Sequence, residues 1–137
     1  MENNLTVRSY GEGIGDFQLV ESWVNAHARE AVFAETTIPP VGVIVESDGE
    51  PVAACWLYLS AGIGVGFLEM PVTRPGTKLE DAVTFLGHAL AALEEIARSH
   101  NYGVLMATTP KGIGHVLMRK FGYKLVGDRV QLFKRID

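Results

Sequence analysis

The sequence predicts a mixed α/β (α+β) fold: a mostly antiparallel central sheet that contains one parallel pair of strands, with helices on both faces. Three apolar segments separated by turn residues, over 41–72, are typical of an antiparallel meander. A long amphipathic helix over 79–100 and a short apolar segment at 104–108 follow, so the last strand of the meander begins a β-α-β unit with parallel strands. The 137 residues suit one domain, which we expect to span 1–137.

The first two elements are predicted to be a strand and a helix. Residues 5–10 alternate apolar and polar side chains, as a half-buried strand does. Residues 11–15 are predicted as a loop. Asp16 is placed as the N-cap of a helix that runs to about Arg29. The apolar residues that recur at helical spacing in this segment are Phe17, Leu19, Val20, Trp23 and Val24.

The meander is predicted to consist of strands at 41–46, 52–59 and 65–72. Asp48-Gly49 between the first two is the signal of a tight hairpin turn. Cys55 and Trp56 lie in the middle strand, and we expect both in the core, Cys55 as a small buried hydrophobic residue. A single cysteine forms no internal disulfide, and no spacing of cysteine and histidine indicates zinc.

The remaining elements follow the long helix. Because the segment 104–108 is almost wholly apolar, we expect a strand that is covered on both faces. A short helix is predicted over 112–121, with Gly122 at its C-terminal cap. Two final strands, at 123–126 and 130–136, are predicted to pair.

Composition excludes some classes of function. The net charge of −4 and the pI of about 5.5 argue against general nucleic-acid binding, which needs a basic field. No apolar run approaches the roughly 20 residues of a membrane span, so no membrane association is expected. The polar start of the sequence does not resemble a signal peptide, and we expect a cytoplasmic protein.

The order of elements and the amino-acid sequence of the second half of the chain resemble the GNAT superfamily of acetyl-CoA-dependent N-acyltransferases. The similarity runs from Leu5 to Ile136 and is strongest from Phe67 onward. Residues 67–72 (FLEMPV) are similar to the family's fourth strand, and 97–103 (ARSHNYG) to the end of its long helix. Residues 117–123 (LMRKFGY) are similar to the signature of its last helix.

The resemblance implies two parallel strands, the fourth and fifth, that splay apart and hold acetyl-CoA as a cosubstrate in the gap. The pantetheine arm would pair with the backbone of the fourth strand, as an added strand does. The pyrophosphate would lie at the N-terminus of the long helix, where backbone N–H groups and the helix dipole favour an anion. The residues that the resemblance assigns to the cofactor are Leu68, Met70, Val72, Arg74, Gly76, Thr77, Lys78, Thr108 and Thr109.

The phosphate loop departs from the family pattern Arg/Gln-x-x-Gly-x-Gly/Ala. The matching positions, 77–82, read TKLEDA, and only Ala82 fits its place. Glu80 stands where the first glycine belongs and Asp81 follows it, so two carboxylates would repel a pyrophosphate. A shifted alignment instead gives a shorter turn through Gly76, with charge from nearby basic residues.

Two residues are candidates for acid–base catalysis. Alternation along the fourth strand predicts that Glu69 lies on the opposite face from Leu68 and Met70, where it could take a proton from an amine. Its other interpretation is a carboxylate at a solvated strand edge. Where the family often carries a tyrosine as general acid, this chain has Met118. His115, one turn earlier, could supply the proton.

The leading hypothesis is therefore an acetyl-CoA-dependent N-acetyltransferase that modifies a primary amine of a small molecule or a protein. The altered loop and the missing tyrosine favour a second hypothesis, an inactive GNAT-fold binding or regulatory module. A third is transfer to a nucleic-acid base, because the short sequence is similar to GNAT-like proteins of bacteriophages; the acidic balance argues against it. Many members of the superfamily pair, so a homodimer is also expected.

Overall fold

The computed structural model describes residues 4–27, 38–109, 111–127, 132 and 134. Among them it forms eight elements in an order that agrees with the sequence prediction. The elements are β1 (Leu5–Ser9), α1 (Asp16–Ala26), β2 (Val41–Ser47), β3 (Glu50–Leu59), β4 (Val65–Thr73), α2 (Leu79–Ser99), β5 (Val104–Ala107) and α3 (Lys111–Lys120).

The strands form one sheet in the order β1-β2-β3-β4-β5. The first four pair antiparallel, and β4 pairs with β5 in parallel, with α2 as the crossover. Asp48 and Gly49 both have positive φ, 51° and 84°, as a two-residue hairpin loop of type I′ requires. The mixed sheet predicted from the sequence is confirmed.

Two apolar clusters cover the two faces of the sheet. On the α2 face, side chains of α2 and α3 pack on alternate strand residues, among them Val43, Cys55 and Leu68. On the α1 face, α1 packs on the residues between them, among them Ile44 and Trp56. The burial of Cys55 and Trp56, both 0% exposed, confirms their predicted place in the core.

A β-bulge interrupts the regular alternation in β4. Trp56 pairs with Glu69 and Ala54 with Val72, so two residues of β4, Met70 and Pro71, oppose one residue of β3. Met70 has φ of 52°, in the left-handed region. The prediction that Glu69 and Met70 lie on opposite faces is wrong. Glu69 shares a face with its partner Trp56, and Met70 packs against the cluster that contains Trp56.

A charged network holds the loop between β1 and α1. The Asp16 carboxylate is only 5% exposed and accepts two hydrogen bonds of 2.8 Å from the Arg8 guanidinium. It also accepts hydrogen bonds from the backbone N–H groups of Gly11 and Gly13, at 2.9 and 3.1 Å. Asp16 is therefore the first residue of α1 and not its N-cap, because its carboxylate binds the preceding loop; Gly15 occupies the cap.

The helix ends differ little from the predictions. The first helix ends at Ala26, and residues 28 and 29, to which the prediction extended it, lie outside the described part. After α2, Asn101 adopts φ of 63° and the Tyr102 N–H donates to the Ala97 carbonyl, which is a Schellman-type end. Gly122 follows α3 with φ of 78°, in agreement with its predicted place.

The C-terminal part departs from the predictions. The strand predicted at 104–108 ends at Ala107 and is not covered on both faces: Val104 and Met106 are 54% and 43% exposed, whereas Leu105, on the opposite face, packs against the α2-face cluster. Residues 123–126 form no strand, since the described residues offer no pairing partner. Its predicted partner, 130–136, lies outside the described residues except for 132 and 134.

Membrane-spanning helices can be assessed only in the part of the chain that the structure describes. Within it, no helix combines the length and the apolar character that crossing a bilayer requires.

Neutralising Asp16 is expected to destabilise the fold. The Arg8 guanidinium and the two loop N–H groups hold the pKa of this carboxyl below its usual value, against the opposing effect of burial. Asp16→Asn should reduce the free energy of unfolding by about 2 kcal/mol at pH 7, because hydrogen bonds to a charged group are lost. Urea denaturation measures the change.

The pH dependence gives a second readout of the same residue. Because the folded-state pKa is lower than the unfolded one, the stabilisation is complete above about pH 4 and is lost as pH falls through the folded value. The wild type should therefore lose more stability on acidification than Asp16→Asn. Glu12→Gln, in the same loop but exposed, is the control, and equal acid sensitivity of wild type and Asp16→Asn would contradict the account.

Candidate functional site

The candidate site is the place where β4 and β5 part. Their parallel ladder pairs Val65 with Val104 and ends at Leu68 with Ala107. Beyond this point β5 stops, whereas β4 continues through its bulge to Thr73. The bulge bends the strand, and Pro71 has no N–H to offer a ladder. All four residues of β5 are paired with β4, and β4 continues beyond the last pair, so the predicted splay between 67–72 and 104–108 stays a prediction.

A small cavity of about 10 Å³ lies at this parting. That volume is at the lower limit for one water molecule. Apolar side chains from both strands and from α2 and α3 close it on the α2 face of the sheet. The residues that line it are Cys55, Leu68, Pro71, Leu86, Leu90, Ala107, Thr109, Ile113 and Leu117.

A tight turn connects β4 to α2. The Thr77 N–H donates to the Arg74 carbonyl at 3.2 Å, and Gly76 has φ of 85°. Pro75 and Gly76 at the two central positions are the signature of a type II turn. The turn passes through Gly76, as in the shifted alignment, and its role as a phosphate loop stays a prediction. The cofactor role of Thr77, half-buried in this turn, stays a prediction.

The N-terminus of α2 is open to an anion. Lys78 is the N-cap in an extended conformation, and no capping hydrogen bond from a described side chain is found. The first backbone N–H groups of a helix have no partner within it, and its dipole favours negative charge at this end. Arg74 and Lys78 are exposed beside it, as are the acidic Glu80 and Asp81. Two cations and two anions therefore surround the same helix end.

A larger groove, of about 440 Å³, runs between α2 and α3. An ideal Cβ at Gly87 would lie 3.0 Å from the Phe121 ring, so this glycine permits the two helices to approach closely. The groove was not predicted from the sequence. A glycine in a helix interior, which costs about 1 kcal/mol relative to alanine, was the signal that could have indicated it. The residues that line it are Val83, Thr84, Gly87, His88, Ala91, Lys120 and Phe121.

Glu69 lies on the α1 face, half-buried, directly before the bulge. Burial raises the pKa of its carboxyl, because desolvation disfavours the charged form. Its backbone carbonyl accepts a hydrogen bond from the Cys55 thiol at 3.4 Å. A half-buried carboxylate with a raised pKa is suited to accept a proton.

Cys55 lies opposite the bulge and is fully buried. Burial raises the pKa of its thiol to about 12, so the neutral form is present at physiological pH. The thiol instead satisfies the Glu69 carbonyl and fills space in the α2-face cluster.

His115 and Glu69 come from opposite faces of the sheet. Leu117 of α3 is buried in the α2-face cluster, whereas His115 is exposed, two residues and about 200° around the helix from it. Among the described contacts, none joins His115 to Glu69. The catalytic role of each stays a prediction.

The other predicted cofactor residues occupy three environments. Leu68 and Val72 are buried, on opposite faces, and Met70 is partly buried at the bulge. Thr108 is exposed just after β5, and Thr109 lies near α3, where an ideal Cβ at Gly114 would come 3.2 Å from its hydroxyl. Tyr123 packs against the core, and its hydroxyl donates to Glu94 at 3.3 Å.

The sequence matches no family model and no curated protein. Solved structures match over the full chain. An aminoglycoside N-acetyltransferase in complex with CoA has 15% identity and a TM-score of 0.66, over 99% of this chain and 98% of that one. A ribosomal-protein-alanine N-acetyltransferase from Brucella melitensis biovar Abortus 2308 has 11% identity and a TM-score of 0.62, over 99% and 100%.

A third similar structure is an N-acetylglutamate synthase from Neisseria gonorrhoeae, complexed with coenzyme A and N-acetyl-glutamate. It has 19% identity and a TM-score of 0.57, over 86% of this chain and 28% of that one. At sequence identities this low, structural similarity is evidence for a shared fold and not for a shared function. The chain has the fold of the GNAT acetyltransferases.

The conformation of Met70 gives a test of the bulge. A positive φ disfavours β-branched side chains most strongly and glycine least. Met70→Val should reduce the free energy of unfolding by about 1–3 kcal/mol, whereas Met70→Gly should cost less, because released strain offsets the lost packing. Urea denaturation of both variants measures the difference. If Met70→Val were as stable as Met70→Gly or more stable, the strand would be regular at this residue.

Proposed function

We propose that this chain, which has the GNAT fold, is an acetyl-CoA-dependent N-acetyltransferase that modifies a primary amine. The observation that carries the proposal is that β4 continues to Thr73, beyond its last pair with β5, Leu68 with Ala107. Strand edges that leave a sheet need hydrogen-bond partners, and the amide groups of a pantetheine arm can supply them. Backbone groups of Glu69, Met70 and Val72 are the expected partners.

The described residues fit the phosphate end of acetyl-CoA in part. The open N-terminus of α2, the turn through Gly76 and the exposed Arg74 and Lys78 favour a pyrophosphate. Glu80 and Asp81 in the first turn of α2 oppose it by charge repulsion. We therefore expect the pyrophosphate to bind more weakly here than at the N-terminus of a helix without these two carboxylates.

The groove between α2 and α3 is the expected place for the nucleoside end of acetyl-CoA. It follows the N-terminus of α2 along the same helix and has about 440 Å³ of space. Its wall is mainly apolar, which suits a flat base, and Lys120 and His88 provide polar groups beside it.

The chemistry requires one proton acceptor from the chain. Acetyl-CoA, when bound, supplies the thioester whose acetyl group is transferred. Glu69 would take the proton that the amine loses as its nitrogen bonds to the acetyl carbon, directly or through water. Backbone N–H groups of β4 would hold the carbonyl oxygen as the carbon–sulfur bond breaks. The thiolate leaves toward the open end of the gap, where solvent can protonate it.

A second candidate function is a GNAT-fold binding module without catalysis. The two carboxylates at the N-terminus of α2 and the cavity of only about 10 Å³ favour it. A thermal-shift titration separates the two functions, because a ligand that binds the folded state raises the midpoint of unfolding. A midpoint that rises with acetyl-CoA supports the transferase, whereas no shift at millimolar acetyl-CoA supports the module.

Neutralising the two carboxylates is expected to tighten CoA binding. If the pyrophosphate lies at the N-terminus of α2, the double variant Glu80→Gln/Asp81→Asn should lower the Kd for CoA at least about fivefold, since repulsion is removed. Isothermal titration calorimetry at low salt measures it. Glu95→Gln is the control, because it changes the charge on the same helix about 20 Å away. An unchanged Kd would place the pyrophosphate elsewhere.

Removing the carboxylate of Glu69 is expected to slow transfer. Glu69→Gln should lower kcat about 10²-fold or more with little effect on the Kd for CoA, because a general base contributes on this scale. The rate of the wild type should fall as pH drops through the raised pKa of this carboxyl, since the base must be deprotonated. Thiol release across a pH series is the measurement. A variant with wild-type kcat would remove Glu69 from the mechanism.

A further inference from the structure

The α1 face of the sheet carries a patch of aromatic and apolar side chains around Glu69. Strand register places Trp56 opposite Glu69, Tyr58 opposite Phe67, and Phe67 beside Met106. Directly paired residues point to the same face, so these side chains surround one carboxylate. Tyr58 is 53% exposed and Met106 43%, whereas Trp56 is fully buried below them. We call Tyr58, Phe67, Glu69 and Met106 the aromatic patch.

The dimensions of the patch are those of a small molecule. Neighbouring strands are about 4.8 Å apart, and residues two apart along a strand are about 6.6 Å apart. Phe67 therefore lies about 7 Å from Glu69 at the backbone, with Tyr58 on one side of it and Met106 on the other. A ring joined to an amine through a short chain spans this distance.

The charges of this face favour one cation. Of the described strand residues on the α1 face, the charged ones are Arg8, Glu46 and Glu69. Arg8 is within 3.3 Å of Glu46 and 2.8 Å of Asp16, so both of these acids are ion-paired with the same guanidinium. Glu69 makes no ion pair among the described residues and is thus the acid available to an incoming amine.

We propose that the acceptor is a primary amine on an aromatic or bulky apolar body that carries no further charge, and that the aromatic patch holds that body while Glu69 receives the amine. This inference rests on the proposed transferase function. It specifies the class of acceptor for the same site.

Three physical effects support this class. Apolar contact with Phe67, Tyr58 and Met106 removes apolar surface from water, and aromatic pairs add their own attraction. The ammonium form is attracted to Glu69 and to the faces of the rings. A polyamine would have to desolvate several charges against one free carboxylate. An amino acid would bring its own carboxylate next to Glu69, and the described strand residues of this face include no unpaired cation to receive it.

Calorimetric binding of three amines, without acetyl-CoA, tests the inference. The probes are 2-phenylethylamine, spermidine and phenylalanine. We expect saturable binding of 2-phenylethylamine, at least about tenfold tighter than that of the other two. Tyr58→Ala should weaken it about fivefold or more, since an exposed ring in contact with the ligand is removed. Val7→Ala, which removes exposed apolar surface from the other face of β1, should leave it unchanged.

A second variant guards against loss of folding. Phe67→Leu keeps an apolar side chain in the sheet and removes the ring, so it should retain the fold and still weaken 2-phenylethylamine. Tightest binding of spermidine or phenylalanine, or no binding of any amine, would overturn the inference. Equal binding by wild type, Tyr58→Ala and Phe67→Leu would do the same.

Thiol release from acetyl-CoA with each amine separates this inference from the proposed function. Release with 2-phenylethylamine as the best acceptor supports both. Binding of 2-phenylethylamine to the patch without release supports the patch and contradicts the transferase. Release with spermidine as the best acceptor supports the transferase and contradicts the patch.

Discussion

The extra residue in β4 is the constraint on which the candidate site depends. Two residues of β4 lie opposite Cys55, and this extra residue shifts the alternation of side chains along the strand. Leu68 and Val72, which a regular strand would place on the same face, therefore lie on opposite faces of the sheet. A bulge also bends the strand that contains it, just beyond the last pair of β4 with β5. The bulge therefore brings Met70 and Val72 to the α1 face, the face on which Glu69 lies.

The sequence was sufficient for the eight elements and the mixed sheet, because periodicity and turn residues are local signals. It could not show the bulge, since the alternation of residues 67–72 is equally compatible with a regular strand. The role of Asp16 depends on Arg8, a residue of another element, and the local sequence pattern does not show which residues of different elements will pair. The exposure of Met106 was missed for the same reason: an apolar run does not say how many of its faces are covered.

Charge is distributed differently at the two ends of the candidate site. On the α1 face a single guanidinium pairs with two acids, and Glu69 makes no ion pair among the described residues. At the N-terminus of α2, basic Arg74 and Lys78 compete with acidic Glu80 and Asp81 for the same space. The proposed acceptor end thus offers a carboxylate to a cation, whereas the proposed cofactor end balances attraction against repulsion. Under the proposed function, that balance makes the strength of acetyl-CoA binding the sensitive quantity.

Amide hydrogen exchange in β4, with and without CoA, tests the central claim most directly. If a pantetheine arm pairs with β4 beyond its ladder with β5, exchange of the amides in residues 69–73 must slow when CoA is added, while β1, which lies at the other edge of the sheet, keeps its rates. Unchanged exchange in residues 69–73 at a CoA concentration that saturates the protein would contradict the account, because the ligand would then lie elsewhere.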